Sequence, residues 1–124
     1  MDKWIGLAAA GVLGTLARYG LSGLVQRIAG AGFPWGTAVV NLTGCFLFGL
    51  LWTLLDGRIQ VRSEIRTTVF IGFFGAFTTF SSFVAETASL MRDSQWLYAG
   101  ANIIGQNVLG IVVLLAGMAL GRMV

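Results

Sequence analysis

Four long apolar stretches, separated by short polar or glycine-containing links, fill almost the whole chain. They run over residues 4–29, 35–55, 65–90 and 96–122. Each is long enough to cross the roughly 30 Å hydrocarbon core of a bilayer as a helix, which takes about 20 residues. Tryptophan or tyrosine lies near the ends of the stretches, as expected of anchors at the membrane surface. The pattern predicts an all-α membrane protein whose four transmembrane helices form one domain, residues 1–124.

Composition supports this prediction and makes two classes of function unexpected. Hydrophobic residues make up 56% of the 124 residues, charged residues 10%, and histidine is absent from the sequence. Without a nucleophile–base pair or a metal-ligand motif, an enzyme is not expected. The net charge of +3 comes from scattered residues and not from a basic run, so a nucleic-acid partner is not expected either. Because the first apolar stretch continues well past its alanines, we expect a membrane span there and not a cleaved signal peptide.

The positive charges give the chain only a weak preferred orientation. With four spans, the N-terminus, the second link and the C-terminus share one side of the membrane. That side carries Lys3, Arg58, Arg62, Arg66 and Arg122, and the other carries Arg27 and Arg92. An excess of positive charge marks the cytoplasmic side, but one or two substitutions would erase an excess of this size. We therefore expect a chain that can insert in both orientations.

A chain of this size can hardly enclose a polar path alone, so a transport function would require an oligomer. Small residues that allow close helix contact recur in the first and last spans, as at Gly117 and Gly121. These glycines could pack helices within one chain or between two chains, and the sequence leaves both alternatives open.

Two charged residues lie inside spans. Arg18 is in the first span, where an arginine at the helix centre costs roughly 2.5–3.5 kcal/mol on insertion scales. We favour a structural role, either pairing with Glu86 or capping, over an electropositive element of an anion path. Glu86 lies near the end of its span, which weighs against a proton-coupled carrier built on this carboxylate.

Neutral amides lie in the second and fourth spans. Asn41 offers N–H donors that suit an anion, or a hydrogen bond to a neighbouring helix. Tyr98, Asn102 and Gln106 recur every four residues and share one face of the fourth span. Asn107 lies on the adjacent face. This polar face lines either a helix interface or a wet path, and the roles of Gln106 and Asn107 stay open.

The run GFFGAFTTFSSF, residues 72–83, departs most from an ordinary membrane helix. Hydrocarbon tolerates hydroxyls or interrupted backbone only where protein or a water-filled cavity surrounds them. We expect a helix break at Gly75, which would expose carbonyls that suit a small cation and N–H groups that suit an anion. Phe80 and Phe83 would be neighbours on one helical face. Since the edge of a phenyl ring is electropositive, this pair could contact an anion directly.

This run resembles the third-span signature of the small bacterial fluoride channels, the Fluc (CrcB-type) family. The resemblance extends to Gly14-x-x-x-Arg18-Tyr19 in the first span and to Gly36-Thr37 with Asn41-x-x-Gly44 in the second. Ser82 is a departure, because threonine is the commoner residue there, although serine keeps the hydroxyl.

The resemblance implies a fluoride-selective channel that exports fluoride passively through the bacterial inner membrane. It implies an antiparallel, dual-topology homodimer with two pores, in contact with lipid and fluoride. The implied anion path is lined by Asn41, Thr79, Phe80, Ser81 and Phe83. The backbone carbonyls of Gly75 and Thr78 from both subunits would bind a structural sodium ion. Arg18, Asn102 and Gln106 would belong either to the path or to its supporting structure.

The main alternative is a small dual-topology multidrug/proton antiporter. Such proteins also have four short spans, but they need a carboxylate deep in the first span to exchange protons for cationic drugs. Here that span carries Arg18 and no acid. A structural or assembly subunit is a third hypothesis, and it would conduct no ions.

Overall fold

The computed structural model describes residues 2–57 and 59–124, and these are almost entirely helical. In chain order the helices are α1 (Lys3–Ala29), α2 (Trp35–Gly57), α3 (Ser63–Thr67), α4 (Phe74–Phe77), α5 (Phe80–Arg92) and α6 (Trp96–Met123). A π-helical segment, Thr68–Phe73, joins α3 to α4. Met1 and Arg58 lie outside the described residues. Arg58 is one of the positive charges counted above.

Four helical segments are long and apolar enough to cross a membrane. They are α1, α2, the segment Ser63–Arg92 that contains α3 to α5, and α6. The mean hydropathy of their apolar windows runs from 1.2 to 2.1. The predicted fold class is therefore confirmed: the chain is an all-α, multi-pass membrane protein with four transmembrane helices, the third of which is broken.

Gln26 holds the link between α1 and α2 in place. Its Nε2 donates to the carbonyls of Gly30 and Phe33, and its Oε1 accepts from the N–H of Gly36 at 3.0 Å. Gly30 ends α1 with φ +93°, a backbone conformation that residues with a side chain rarely adopt. One side chain thus satisfies the polar backbone groups of a sharp turn between two membrane helices.

Glycines allow α6 to lie close against α2. A Cβ at Gly117 would overlap the backbone at Phe46, and a Cβ at Gly121 would lie 2.8 Å from the Cβ of Thr53. Gly14 likewise allows α1 to lie close against the third span. The glycine pair of the last span therefore packs helices within one chain, which was one of the two alternatives.

Aromatic side chains before the break form the core. Phe74 and Phe77 are buried with Val40 of α2, and the ring centroids of Phe48 and Phe70 lie 4.8 Å apart beside them. Close ring contacts of this kind stabilise a core beyond the area that they bury. The phenylalanines of the third span before the break therefore have a packing role, which separates them from Phe80 and Phe83 after it.

The helix break lies at Thr78 and Thr79, so the prediction of a break at Gly75 was wrong by three residues. Gly75 is helical within α4, whereas Thr78 (ψ 157°) and Thr79 (φ −145°, ψ 119°) are extended. The two threonine hydroxyls cap both sides of the break. Thr78 Oγ1 donates to the carbonyl of Phe74 at 2.9 Å, and Thr79 Oγ1 accepts from the N–H of Ser82 at 3.3 Å.

Candidate functional site

A cavity of about 230 Å³ opens beside the helix break. It is lined by Asn41, Cys45, Thr78, Thr79, Phe80, Phe83, Gln106 and Asn107. The lining combines amides, hydroxyls and phenyl rings from α2, the broken span and α6. Four of the residues that the sequence predicts for an anion path, Asn41, Thr79, Phe80 and Phe83, therefore come together here.

Asn41 is the side chain that holds the break. Its Oδ1 accepts from the N–H of Thr79 at 2.8 Å, and its Nδ2 donates to the carbonyl of the same residue at 3.1 Å. The second Nδ2 hydrogen has a partner in Gln106 Oε1, at 2.8 Å. Both N–H groups of Asn41 are engaged, so an ion that takes a hydrogen bond from Asn41 must displace one of these acceptors.

Phe80 and Phe83 form a pair on the first turn of α5. Their ring centroids are 5.8 Å apart, and their planes are inclined by 44°. Phe83 is only 9% exposed, whereas Phe80 is 76% exposed in the single chain. Both rings line the cavity, one of them buried and the other exposed.

The hydroxyls that follow the break have different positions. Thr79 Oγ1 is 3.1 Å from Ser82 Oγ, which orders the first turn of α5. Ser81 is exposed and is not among the residues that line this cavity. The structure therefore brings Thr79, but not Ser81, into the cavity wall of the single chain.

Arg18 caps the broken helix from α1. Its Nε donates to the carbonyl of Ala76 at 3.0 Å. Glu86, the partner considered above, instead accepts from the hydroxyl of Thr37 at 2.9 Å through Oε2. This geometry favours the capping role for Arg18, because a carbonyl just before the break has lost the amide that would bond it in an unbroken helix.

Asn102 on the polar face of the last span lies in a helix interface, whereas Gln106 on the same face also lines the cavity. Asn102 is 0% exposed, and its Nδ2 donates to the hydroxyl of Thr87 in α5 at 2.9 Å. Gln106 Nε2 donates to Asn102 Oδ1 at 2.9 Å, while Tyr98 packs edge-on against the ring of Phe33. Sequence reasoning missed Thr87; the available signal was a hydroxyl one helical turn after Phe83.

The broken third span and its cavity define a small membrane protein with an uncharged site, lined by amides, hydroxyls and phenyl rings, beside the helix break. Residues 5–118 match the family model described as "CrcB-like protein, Camphor Resistance (CrcB)". The chain therefore belongs to the CrcB family.

Similar proteins extend over nearly the whole chain. The chain is 54% identical to a protein of Nitrosococcus oceani, over 98% of this chain and 95% of the relative. It is 52% identical to one of Desulforapulum autotrophicum, over 98% of both chains. Identity is also 52% to a protein of Solidesulfovibrio magneticus, over 100% of this chain and 99% of the relative. All three relatives bear the name "Fluoride-specific ion channel FluC".

Proposed function

We propose that this chain is a fluoride-selective ion channel, through which fluoride leaves the bacterial cytoplasm passively across the inner membrane. The relatives named as fluoride-specific ion channels cover nearly all of it. The observation that carries the proposal is the cavity at the break, because none of the residues that line it is charged. Fluoride is small and strongly hydrated, so it needs hydrogen-bond donors and electropositive ring edges as it sheds water.

The antiporter alternative finds no support at this site. A proton-coupled exchanger of cationic drugs needs a carboxylate on its substrate path. The sequence of α1 contains no aspartate or glutamate, and Arg18 within it donates to the carbonyl of Ala76. An arginine within the first span repels cations, and no carboxylate lines the cavity.

Flux from proteoliposomes tests the proposed function. Purified protein in liposomes that contain both potassium fluoride and potassium chloride, with valinomycin to carry the counter-charge, should release fluoride rapidly and chloride hardly at all. Two ion-selective electrodes in the same chamber record both ions. An assembly subunit would release neither ion, and an antiporter would respond to a proton gradient but not to the fluoride gradient.

We infer that two copies form an antiparallel homodimer with two pores. Lipid cannot satisfy exposed polar backbone, so the break must be covered by protein. Gly75 is exposed, and a Cβ added to it would meet no neighbouring residue within 4 Å. Phe80, beside the break, is 76% exposed. A second copy that presents the same break would cover both residues.

Cysteine labelling checks the predicted dual topology. A cysteine at the exposed position Gln60, in a Cys45→Ser background, should react with an impermeant thiol reagent from either side of the membrane. Roughly equal labelling from the two sides is expected, because the positive charges favour one orientation only weakly. Labelling from one side alone would exclude the antiparallel arrangement of identical chains.

We propose further that the carbonyls of Gly75 and Thr78 hold a sodium ion between the two copies. In an unbroken helix these carbonyls would accept from the N–H groups of Thr79 and Ser82. Thr79 N instead donates to Asn41 Oδ1, and Ser82 N to Thr79 Oγ1. Both carbonyls have thus lost the N–H groups that would bond them in an unbroken helix. Carbonyl dipoles that converge from two chains suit a small cation. The ion would neutralise converging carbonyl dipoles and fix the dimer.

Replacing sodium should therefore destabilise the dimer. When N-methylglucamine replaces sodium at constant ionic strength, we expect a lower Tm in detergent, because a ligand of the native state stabilises by roughly 2.7 kcal/mol at a hundredfold its Kd. The Tm should rise again with the logarithm of added sodium. A Tm that is the same in both salts would contradict the sodium site and leave the anion path unaffected.

A further inference from the structure

One continuous chain of hydrogen bonds runs from the helix break to the first turn of α5 by way of α2 and α6. From donor to acceptor, it joins Thr79 N to Asn41 Oδ1 (2.8 Å), Asn41 Nδ2 to Gln106 Oε1 (2.8 Å), Gln106 Nε2 to Asn102 Oδ1 (2.9 Å), Asn102 Nδ2 to Thr87 Oγ1 (2.9 Å) and Thr87 Oγ1 to Phe83 O (2.8 Å). We call Asn41, Gln106, Asn102 and Thr87 the polar relay.

The direction of the relay is fixed by its two backbone ends. The N–H of Thr79 can only donate, and the carbonyl of Phe83 can only accept. Every side chain between them accepts on one side and donates on the other. If the amide of Gln106 turned over, its bonds on both sides would be lost. Aligned hydrogen bonds also polarise one another, so the relay behaves as a unit.

Asn102 and Thr87 are the members of this hydrogen-bond chain that lie outside the wall of the cavity. Asn41, Gln106 and Phe83 line the cavity, but Asn102 and Thr87 are outside the lining and are 0% and 6% exposed. Loss of the hydrogen bonds made by Thr87 or Asn102 would interrupt the relay. It would remove no group that an ion in the cavity can contact.

We propose that Gln106, Asn102 and Thr87 are positioning residues for the anion path. They keep the Asn41 amide facing the break and the Phe83 ring facing the cavity, and Asn102 and Thr87 do so without contacting the ion. This inference rests on the proposed channel function. The competing explanation is that each bond only holds two helices together, as polar contacts in membrane proteins commonly do.

Thr87 offers the sharpest test, because it lies outside the cavity. Thr87→Val keeps the shape of the side chain and removes the donor to Phe83 and the acceptor for Asn102. We expect fluoride flux per reconstituted dimer to fall about tenfold, within the range that coupled networks carry. Thr87→Ser keeps the hydroxyl and should restore the flux.

Thr53→Val is the matched control. Thr53 in α2 also has a buried hydroxyl, which has no hydrogen-bond partner among the described residues. Its replacement removes a hydroxyl from a membrane helix without touching the relay. Flux through Thr53→Val should equal that of the wild type, so a loss in both variants would overturn the proposal.

A double variant tests whether the relay acts as a unit. Gln106 and Thr87 both bond Asn102, on its opposite sides. Once Gln106→Met has broken the relay, adding Thr87→Val should cost little further flux. If the two positions act independently, their fold losses will multiply, and that result would contradict the relay.

The remaining outcomes are also distinguishable. Wild-type flux in Thr87→Val would contradict the positioning role but not the channel function. A wild-type protein that conducts no fluoride would contradict both. A loss of dimer on gel filtration in step with flux, in Thr87→Val and Thr87→Ala alike, shows a merely structural role and overturns the proposal. Should Thr87→Val yield no dimer, Thr87→Ala is the second variant; it leaves a small void next to Asn102, and the same loss of flux is expected.

Discussion

Replacing Phe83 with isoleucine is expected to reduce fluoride flux about tenfold, which corresponds to the loss of about 1.4 kcal/mol of favourable ring contact. Isoleucine keeps the apolar character of the cavity wall but has no electropositive edge. Phe83 is nearly buried in that wall, with its centroid 5.8 Å from that of Phe80. The same substitution at Phe80 should have a similar effect, since both rings are expected to face the ion in turn.

The measurement is fluoride efflux per dimer, with gel filtration to show that the dimer persists. Phe73→Ile is the matched control. Phe73 lies before the break, where its ring stacks on that of Phe77 at 5.5 Å. This variant should lose stability but conduct normally. Wild-type flux in both the Phe80 and Phe83 variants would exclude the rings from the path.

The fold was predictable from the sequence because the bilayer imposes a strong constraint on length and composition. Each apolar stretch became a membrane-crossing helix or, in the third span, an interrupted one. The convergence of Asn41 with Thr79 and Phe83 was also expected, although only their resemblance to a known motif linked them before the structure did.

The position of the break was not predictable from local sequence. Glycine is the residue that most readily leaves a helix, so Gly75 was the natural candidate. The structure breaks at Thr78 and Thr79 because distant groups satisfy the freed backbone. Asn41, 38 residues earlier, bonds both the N–H and the carbonyl of Thr79. No local pattern contains that information.

The relay escaped prediction for the same reason. Asn102 and Gln106 could be placed on one face of a helix, but their partners lie on other helices. Thr87 is 15 residues from Asn102, and a single hydroxyl one helical turn after Phe83 does not identify its partner. A buried amide indicates that a partner exists, but only tertiary packing decides which one.

Asn41→Asp should abolish fluoride flux while the dimer remains intact. The change is nearly isosteric, but it replaces the N–H donors that face Thr79 O and Gln106 Oε1 with an acceptor. An ionised carboxylate in a dry path would also repel fluoride by several kcal/mol, since roughly 4 kcal/mol acts between unit charges 4 Å apart at an effective dielectric constant of 20.

Asn41→Ser separates a role in conduction from a role in packing. Serine keeps one donor and should conduct at a reduced rate, between those of the wild type and the aspartate variant. If Asn41 only holds the break in place, both variants should lose dimer on gel filtration in proportion to their loss of flux. A stable dimer that does not conduct in the aspartate variant supports a place on the anion path. An aspartate variant that conducts like the wild type excludes that place, because a fixed negative charge beside the ion would have had no effect.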